Sequence, residues 1–241
     1  MDDIYRFFKL FFHIFANMNK NNKRKLSKLI LFVTAILTMS VTDVTEKTGK
    51  WEKIKVRDGV TVYTRENSLS EIKEVKAVTI IDATPSILVH IIKSAEKQPQ
   101  WAYSTAEARV VKVYDDFHWV TYTLSDAPWP VSDRDVVTDV KMKQLADSTI
   151  IIKSVSIDSL VEETDVAVRI PLIRAYWVLK QQDNGKVKAV FRILVDLGGS
   201  VPAWVVNLFI ENGPLNTVAG FRKEAEREVY KNIKLPYIKE K

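Results

Sequence analysis

The sequence predicts an α+β domain in which a curved antiparallel β-sheet wraps around a long C-terminal helix. Three observations carry this prediction. From residue 51 onward most of the chain consists of short segments that alternate apolar and polar residues, joined by links of hairpin length. The last forty residues instead have helical periodicity. Few other long helices are available to cover the apolar face of the sheet, so the terminal helix is expected to cover it.

The composition is that of an ordinary globular protein, with 46% hydrophobic and 27% charged residues among 241. There is no cysteine, which excludes disulfides, zinc-thiolate sites and cysteine nucleophiles, and only His13, His90 and His118 supply imidazoles. Residues 1–50 carry nine Lys/Arg and four Asp/Glu, so most of the net charge of +6 lies there and the remainder is nearly neutral. A nucleic-acid partner is therefore not expected, because such proteins carry a basic surface on the folded domain.

Residues 1–50 are predicted to be a targeting segment that precedes a folded domain at residues 51–241. From Met18, five cations come before thirteen uncharged residues at 29–41. This is the order of a secretory signal peptide, and the apolar stretch is short for a membrane span of roughly 20 residues. An uncleaved anchor is the alternative. The expected location is periplasmic, extracellular or membrane-anchored, and cytoplasmic if the segment is not a signal.

The first part of the domain is predicted to contain a hairpin, a long strand and a helix. Asp58-Gly59 tolerates positive φ and joins two short alternating segments. Residues 70–82 alternate between apolar and polar side chains, which predicts a strand with one solvent-exposed face. The period then lengthens after Thr84, which can cap a helix, and Pro85 suits the first helical turn.

Six further strands are predicted from alternation, at residues 106–114, 117–124, 134–144, 149–157, 175–181 and 186–196. Asn184-Gly185 indicates a tight turn between the last two. Because every link in this series is short, neighbouring strands should be antiparallel. The sheet is therefore expected to follow the chain order as a meander.

The terminal segment is predicted to be an amphipathic helix of about thirty residues. Ser200 is the expected N-cap, and Pro202 is expected in the first turn. Proline removes an internal hydrogen bond, so Gly213-Pro214 should bend or interrupt the helix and, with Gly220, make it a candidate lid. The expected apolar face comprises Trp204, Leu208, Leu215, Val218, Ala225 and Val229.

Three segments, in this order, resemble the START domain, the lipid-transfer module related to steroidogenic acute regulatory protein. Residues 128–137, PWPVSDRDVV, match the family's W-P-x-x-x-R-D-[FV]-V. Residues 198–207, GGSVPAWVVN, match its G-x-[IL]-P-x-[WL]-[LV]-V-N helix start, with Val201 at the [IL] position. Residues 220–226, GFRKEAE, complete the set. The resemblance extends over about residues 51–235.

The resemblance implies a helix-grip fold, in which the curved sheet clasps the C-terminal helix over a tunnel for one lipid. The implied function is non-enzymatic binding or transfer of a lipid or other hydrophobic small molecule, with transient membrane contact and without a cofactor or metal. Strand alternation and the resemblance together nominate the ligand-binding residues Thr121, Trp129, Val136, Thr138, Val140, Met142, Phe191, Ile193, Leu208, Leu215 and Val218.

The sequence departs from the family at one point that bears on the ligand. Some sterol-binding members place a carboxylate and an arginine opposite each other in the tunnel, and the equivalent positions here are Thr121 and Val140. Sterol specificity is therefore not transferred. Arg134 is expected to make structural hydrogen bonds or an ion pair, because a buried guanidinium without a partner is costly.

Two alternatives to a carrier remain open at this point. A cyclase, aromatase or hydrolase on the same fold would need a base in the cavity, and His118 is the candidate if it faces inward beside a carboxylate. An interaction module with a solid interior is the other alternative, because the six tryptophans supply enough bulk to fill the hollow. A cavity below about 300 Å³ would favour this last interpretation.

Overall fold

A computed structural model of the chain describes residues 49–69 and 72–241. The targeting segment predicted for residues 1–50 lies outside these described residues, apart from Gly49 and Lys50. In the described ranges no helix is both long and apolar enough to cross a membrane.

The described residues form one β-sheet of ten strands, two α-helices and two short 3₁₀ helices. The strands are β1 (Glu52–Arg57), β2 (Val60–Arg65), β3 (Glu74–Ile81), β4 (Thr105–Asp115), β5 (His118–Ser125), β6 (Asp133–Gln144), β7 (Ile150–Ser156), β8 (Ala167–Arg169), β9 (Leu172–Gln181) and β10 (Val187–Asp196). The α-helices are α1 (Pro85–Lys93) and α2 (Ala203–Ala225), and the 3₁₀ helices are Ala95–Gln100 and Glu228–Tyr230.

The strand order is β1-β2-β3-β10-β9-β7-β6-β5-β4, and β8 pairs in parallel with β6. The α+β class and the antiparallel sheet are confirmed, but the prediction of a single meander is wrong. Two runs that follow the chain order are joined by the pairing of β3 with β10, where Ala77 lies opposite Phe191. Helix α1 and the 3₁₀ helix after it separate β3 from β4 in the chain, so β4 forms the far edge and leaves β3 free to pair with β10.

The two α-helices begin differently. Thr84 caps α1 as predicted, since its Oγ1 accepts a hydrogen bond from the N–H of Ile87 at 3.5 Å. The cap predicted at Ser200 is wrong, because α2 begins after an extended Pro202 and has no side-chain cap. Helix α2 has 23 residues rather than about thirty, and it continues through Gly213-Pro214 without interruption.

The apolar face predicted for α2 is correct only in its second half. Leu215, Val218 and Ala225 are buried, but Trp204 and Leu208 are 48% and 37% exposed. Residues 203–210 read AWVVNLFI, so nearly every position there is apolar and the helical period cannot identify the inward stripe. Val229, the last member of the predicted face, lies beyond the helix and is also exposed.

The main core lies between the sheet and the two helices. Phe221 of α2 is fully buried and packs against Trp101 and Trp177, with ring centroids 5.2 and 4.6 Å apart. Such aromatic packing stabilises the fold by burying large apolar areas. The interior beside this cluster is not filled, and a cavity remains toward the N-terminal half of α2.

Candidate functional site

The cavity consists of two adjoining chambers. The apolar chamber, of about 150 Å³, is lined largely by aliphatic and aromatic side chains, including Val75, Val195, Val206, Phe209 and Ile210. The hydroxyl chamber, of about 210 Å³, is lined by seven Ser and Thr residues: Thr105, Thr121, Thr123, Ser125, Thr138, Ser154 and Thr217. The two chambers share seven lining residues, among them Phe191 and Ile193, so they lie directly beside each other.

Strand alternation positions the wall of the hydroxyl chamber. Trp119, Thr121 and Thr123 of β5 point inward because side chains two residues apart lie on the same face of a strand. The register of β5 with β6 places Thr121 directly opposite Thr138, and their hydroxyl oxygens are 2.9 Å apart. Ser154 enters the same wall from β7, opposite Val140.

Six of the residues predicted to bind ligand line the cavity. Four lie in the hydroxyl chamber, and Phe191 and Ile193 touch both chambers. The four are Thr121, Val136, Thr138 and Val140. Met142, Leu215 and Val218 are instead buried in the main core and line neither chamber.

Trp129 and Leu208 lie outside the cavity, which corrects the sequence-based set. Trp129 is 89% exposed on the loop between β5 and β6, where the flanking prolines keep the chain out of the sheet. Leu208 lies on the outer side of α2, as described above. Neither residue lines either chamber.

The sequence analysis missed several lining residues. Ile173 of β9 could have been found, because it has the same strand parity as the buried Trp177. Trp101 and Tyr103 follow a 3₁₀ helix, and Ile170 lies between two strands. No periodic signal marks those three positions, because loop side chains are placed by tertiary packing.

The lining of the hydroxyl chamber contains no Asp, Glu, Lys, Arg or His among the described residues. Apart from Tyr103, the only ionisable side chain in the lining of the apolar chamber, within the described part of the chain, is Lys73. The described residues that line the cavity therefore supply hydrogen-bonding groups but no carboxylate or imidazole that could act as a general base.

His118 faces away from the cavity. It precedes the inward Trp119, and its Nε2 lies 2.5 Å from Oδ1 of Asp139 on β6. Burial acts to raise the pKa of Asp139, but hydrogen bonds from His118 and Lys141 outweigh it and hold that pKa below its usual value. The enzymatic alternative required an inward-facing His118, and this residue does not line the cavity.

His90 does not line either chamber. Burial lowers the pKa of its imidazole.

The Arg134-Asp135 pair of the first START-like segment has a structural arrangement. Arg134 is buried and donates hydrogen bonds to the carbonyl oxygens of Ser132 and Gly198, and burial lowers its pKa. Asp135 accepts two hydrogen bonds from Arg169, from Nε at 2.8 Å and from Nη2 at 3.0 Å. Arg134 makes the expected hydrogen bonds. The buried ion pair is formed instead by the next residue, Asp135, with Arg169.

The tryptophans do not fill the interior. Trp101, Trp119 and Trp177 line the hydroxyl chamber, while Trp129 and Trp204 are exposed. Each chamber alone is smaller than the roughly 300 Å³ expected of a ligand site, but the two adjoining chambers taken together reach the lower end of that range. The interior is therefore hollow, with space for a small guest.

A surface cleft adjoins the apolar chamber. It is lined by residues of β1 and β2 together with Asn207 of α2. The cleft and the chamber share Ile72, Lys73, Val206 and Ile210. The cleft therefore brings solvent close to the apolar chamber on this side of α2.

Comparison with known proteins agrees with the sheet and the C-terminal helix. A family model described as START domain matches residues 33–229. The chain belongs to the START domain family. This START domain protein is 31% identical over 177 residues to an uncharacterized protein of Pseudomonas aeruginosa, covering 73% of this chain and 87% of the relative. It is 24% identical over 194 residues to human phosphatidylcholine transfer protein, covering 76% and 86%.

Solved structures agree with the START fold. A STAR-related lipid transfer protein fragment from Xanthomonas axonopodis superimposes with a TM-score of 0.68 and 25% identity, covering 73% of this chain and 99% of that one. Human StAR-related lipid transfer protein 5 gives a TM-score of 0.67 at 18% identity, covering 84% and 97%. The predicted architecture, a curved antiparallel sheet with a C-terminal helix, is thereby confirmed.

Proposed function

We propose that this START domain protein binds a hydrophobic small molecule in its two-chamber cavity and carries it without chemical change. The observation that carries the proposal is a pair of adjoining chambers whose lining, among the described residues, has apolar and hydroxyl groups but no imidazole or carboxylate. Removing ligand surface from water would drive binding, at about 25 cal/mol per Å² of apolar area. Relatives named as lipid transfer proteins support the same function.

Filling the cavity tests this proposal. Ala175 lines the hydroxyl chamber from β9, so Ala175→Phe is expected to occupy part of that space. We expect uptake of the fluorescent hydrocarbon diphenylhexatriene to fall at least tenfold, because the guest and the new ring would compete for one volume.

Val178→Phe is the matched control for Ala175→Phe. Val178 lies on the same strand but outside both chambers, so this variant should take up the hydrocarbon as the wild type does. Circular dichroism would establish that both variants are folded. Equal uptake by a folded Ala175→Phe variant and the wild type would refute the carrier function.

We further propose that Trp129 makes the transient membrane contact through which ligand is exchanged. Its ring is almost fully exposed on a stiff loop, and β8 at the same end of the sheet is preceded by the exposed Leu160 and Val166. Tryptophan favours the interface between lipid and water because its ring is apolar and its N–H is polar.

Trp129→Ser is expected to slow transfer of a hydrocarbon probe between vesicles at least threefold, without changing equilibrium binding, because the residue lies outside the cavity. Stopped-flow fluorescence would measure the transfer rate. Val113→Ser is the control, since Val113 is also exposed but lies near the opposite end of the β4–β5 pair. An unchanged rate for Trp129→Ser would contradict the proposed contact.

We also propose that residues 18–41 direct the protein out of the cytoplasm, as a cleaved signal or an uncleaved anchor. The support is the order of cations and uncharged residues in the sequence. N-terminal sequencing of protein recovered from the exported and membrane fractions tests this proposal. Recovery of intact chain only from the cytosol would contradict it.

A further inference from the structure

The two chambers differ in the chemistry of their walls. The apolar chamber is dominated by aliphatic side chains, whereas seven Ser and Thr side chains surround the hydroxyl chamber. Gln98 and Tyr103 add further neutral polar groups to the hydroxyl chamber. The cavity is therefore amphipathic, because the apolar chamber offers hydrophobic contacts and the hydroxyl chamber offers hydrogen bonds.

The hydroxyls are concentrated on one wall. Thr121, Thr123 and Ser125 follow one another at every second position of β5, and Thr138 lies across from Thr121 on β6. Thr121 and Thr138 are 5% and 8% exposed, and each hydroxyl can donate one hydrogen bond and accept others. After the bond between these two hydroxyls, the pair still has capacity to bond a ligand oxygen.

Trp101, which also lines this chamber, has an unpaired side-chain donor. Its side chain is more than nine-tenths buried, and its Nε1 has no hydrogen-bond partner within the described part of the chain. An unsatisfied buried donor costs about 1–3 kcal/mol. Because this nitrogen exposes almost no surface, it is the indole ring of Trp101 that borders the chamber and not its N–H.

The hydroxyl chamber does not suit an ionised head group. A phosphate or carboxylate brought into it would lose its hydration without gaining a cation, because no Lys, Arg or His is among the described residues that line it. Burying an unpaired charge costs several kcal/mol. An alcohol or an ester carbonyl would instead exchange hydrogen bonds with water for hydrogen bonds with the wall.

The volume limits the size of the guest. The chambers measure about 150 and 210 Å³, so the whole cavity lies at the lower end of the roughly 300–1,000 Å³ found for sites of small-molecule ligands. This space suits one hydrocarbon chain with a compact head better than a phospholipid with two chains.

We propose that the carried molecule is a single-chain, uncharged amphiphile whose hydroxyl- or ester-bearing head lies in the hydroxyl chamber and whose chain lies in the apolar chamber. This inference rests on the proposed carrier function and specifies its ligand class. It separates this chain from its relative that is named for phosphatidylcholine, a lipid with a charged head.

Displacement of diphenylhexatriene from the full chain by two matched lipids tests the ligand class. The lipids are 1-palmitoylglycerol and palmitoyl lysophosphatidate, which have the same chain and glycerol and differ in the phosphate. We expect 1-palmitoylglycerol to bind at least tenfold more tightly. Equal binding, or tighter binding of the lysophosphatidate, would overturn the inference and leave the carrier function standing. Failure of the hydrocarbon and both lipids to bind would refute the carrier function, and this inference with it.

A second measurement tests the placement of the head. Thr121→Val/Thr138→Val removes two hydroxyls and preserves the side-chain shape. We expect the affinity for 1-palmitoylglycerol to fall about tenfold while the affinity for diphenylhexatriene stays unchanged. The control is Thr61→Val on β2, outside both chambers, and Ser154→Ala is the independent variant should the double variant fail to fold. An equal loss for both ligands, or a loss for neither, would contradict this placement of the head.

Discussion

Asp135→Asn is expected to lower the free energy of unfolding by about 3–5 kcal/mol, the cost of removing one partner from a buried ion pair. The side chains of Asp135 and Arg169 are 2% and 7% exposed. The hydrogen bonds that Arg169 donates to the Asp135 carboxylate are the main cause of the raised pKa of its guanidinium, and this group would stay buried and charged in the variant. Urea denaturation at neutral pH measures the loss.

Two control variants separate this effect from a general cost of losing charge. Glu228→Gln breaks the ion pair with Lys231, and the side chains of Lys231 and Glu228 are 64% and 81% exposed. The free energy of unfolding should therefore fall by less than about 1 kcal/mol. Asp135→Leu/Arg169→Met replaces the buried pair by apolar groups and should recover most of the stability. A loss for Asp135→Asn no larger than that for Glu228→Gln would show that the pair does not stabilise the fold.

The same ion pair attaches a loop to the sheet. Arg169 also donates hydrogen bonds to the carbonyl oxygens of Val161 and Glu162, at 3.3 Å each. It therefore connects β6 to the segment that precedes β8. Asp135 follows Arg134 in the START motif and lines neither chamber. We therefore expect Asp135 to contribute to the stability of the fold and not to ligand binding.

Gly220→Ala is expected to destabilise the protein by about 3 kcal/mol, at the upper end of the usual cost of overpacking. A Cβ at this position would lie 2.3 Å from the carbonyl oxygen of Trp101 and 3.1 Å from its carbonyl carbon. These are backbone atoms, so either α2 or the chain at Trp101 must move. Thermal unfolding followed by circular dichroism would detect the loss.

Gly213→Ala in the same helix is the matched control. A Cβ there would meet only Cδ1 of Tyr103, at an ordinary 3.9 Å. Alanine also favours a helix interior over glycine, so this variant should be neutral or gain about 0.5–1 kcal/mol. Similar stability for the two alanine variants would refute the close packing of α2 on Trp101. If the packing holds, Gly220 is a fixed contact and not a weak point of a lid.

The sequence predicted those cavity residues whose position follows from strand alternation. A strand presents alternate side chains to one face, so the inward side of β5 and β6 follows from a few apolar positions. This is why Val136, Thr138 and Val140 were found, whereas Thr121 was nominated by the START resemblance. The same rule could not tell where along β6 the cavity ends and the core begins, and Met142 lies beyond that limit.

The helix face and the loops could not be predicted in the same way. Residues 203–210 are apolar on nearly every side, so no local pattern distinguishes Leu208, which is exposed, from Phe209, which lines the apolar chamber. Tyr103 and Ile170 lie in connections without periodicity. Their positions depend on contacts with distant parts of the chain.

The amino-acid sequence by itself determined the α+β class, the positions of the main strands and the START family resemblance, because alternation, turn residues and motif spacing are local properties of the chain. Only the tertiary structure decided that β3 pairs with β10, that His118 faces outward and that two chambers of different polarity remain unfilled. A cavity is the difference between the space enclosed by the whole sheet and helix and the volume of their side chains, and no single segment contains that information.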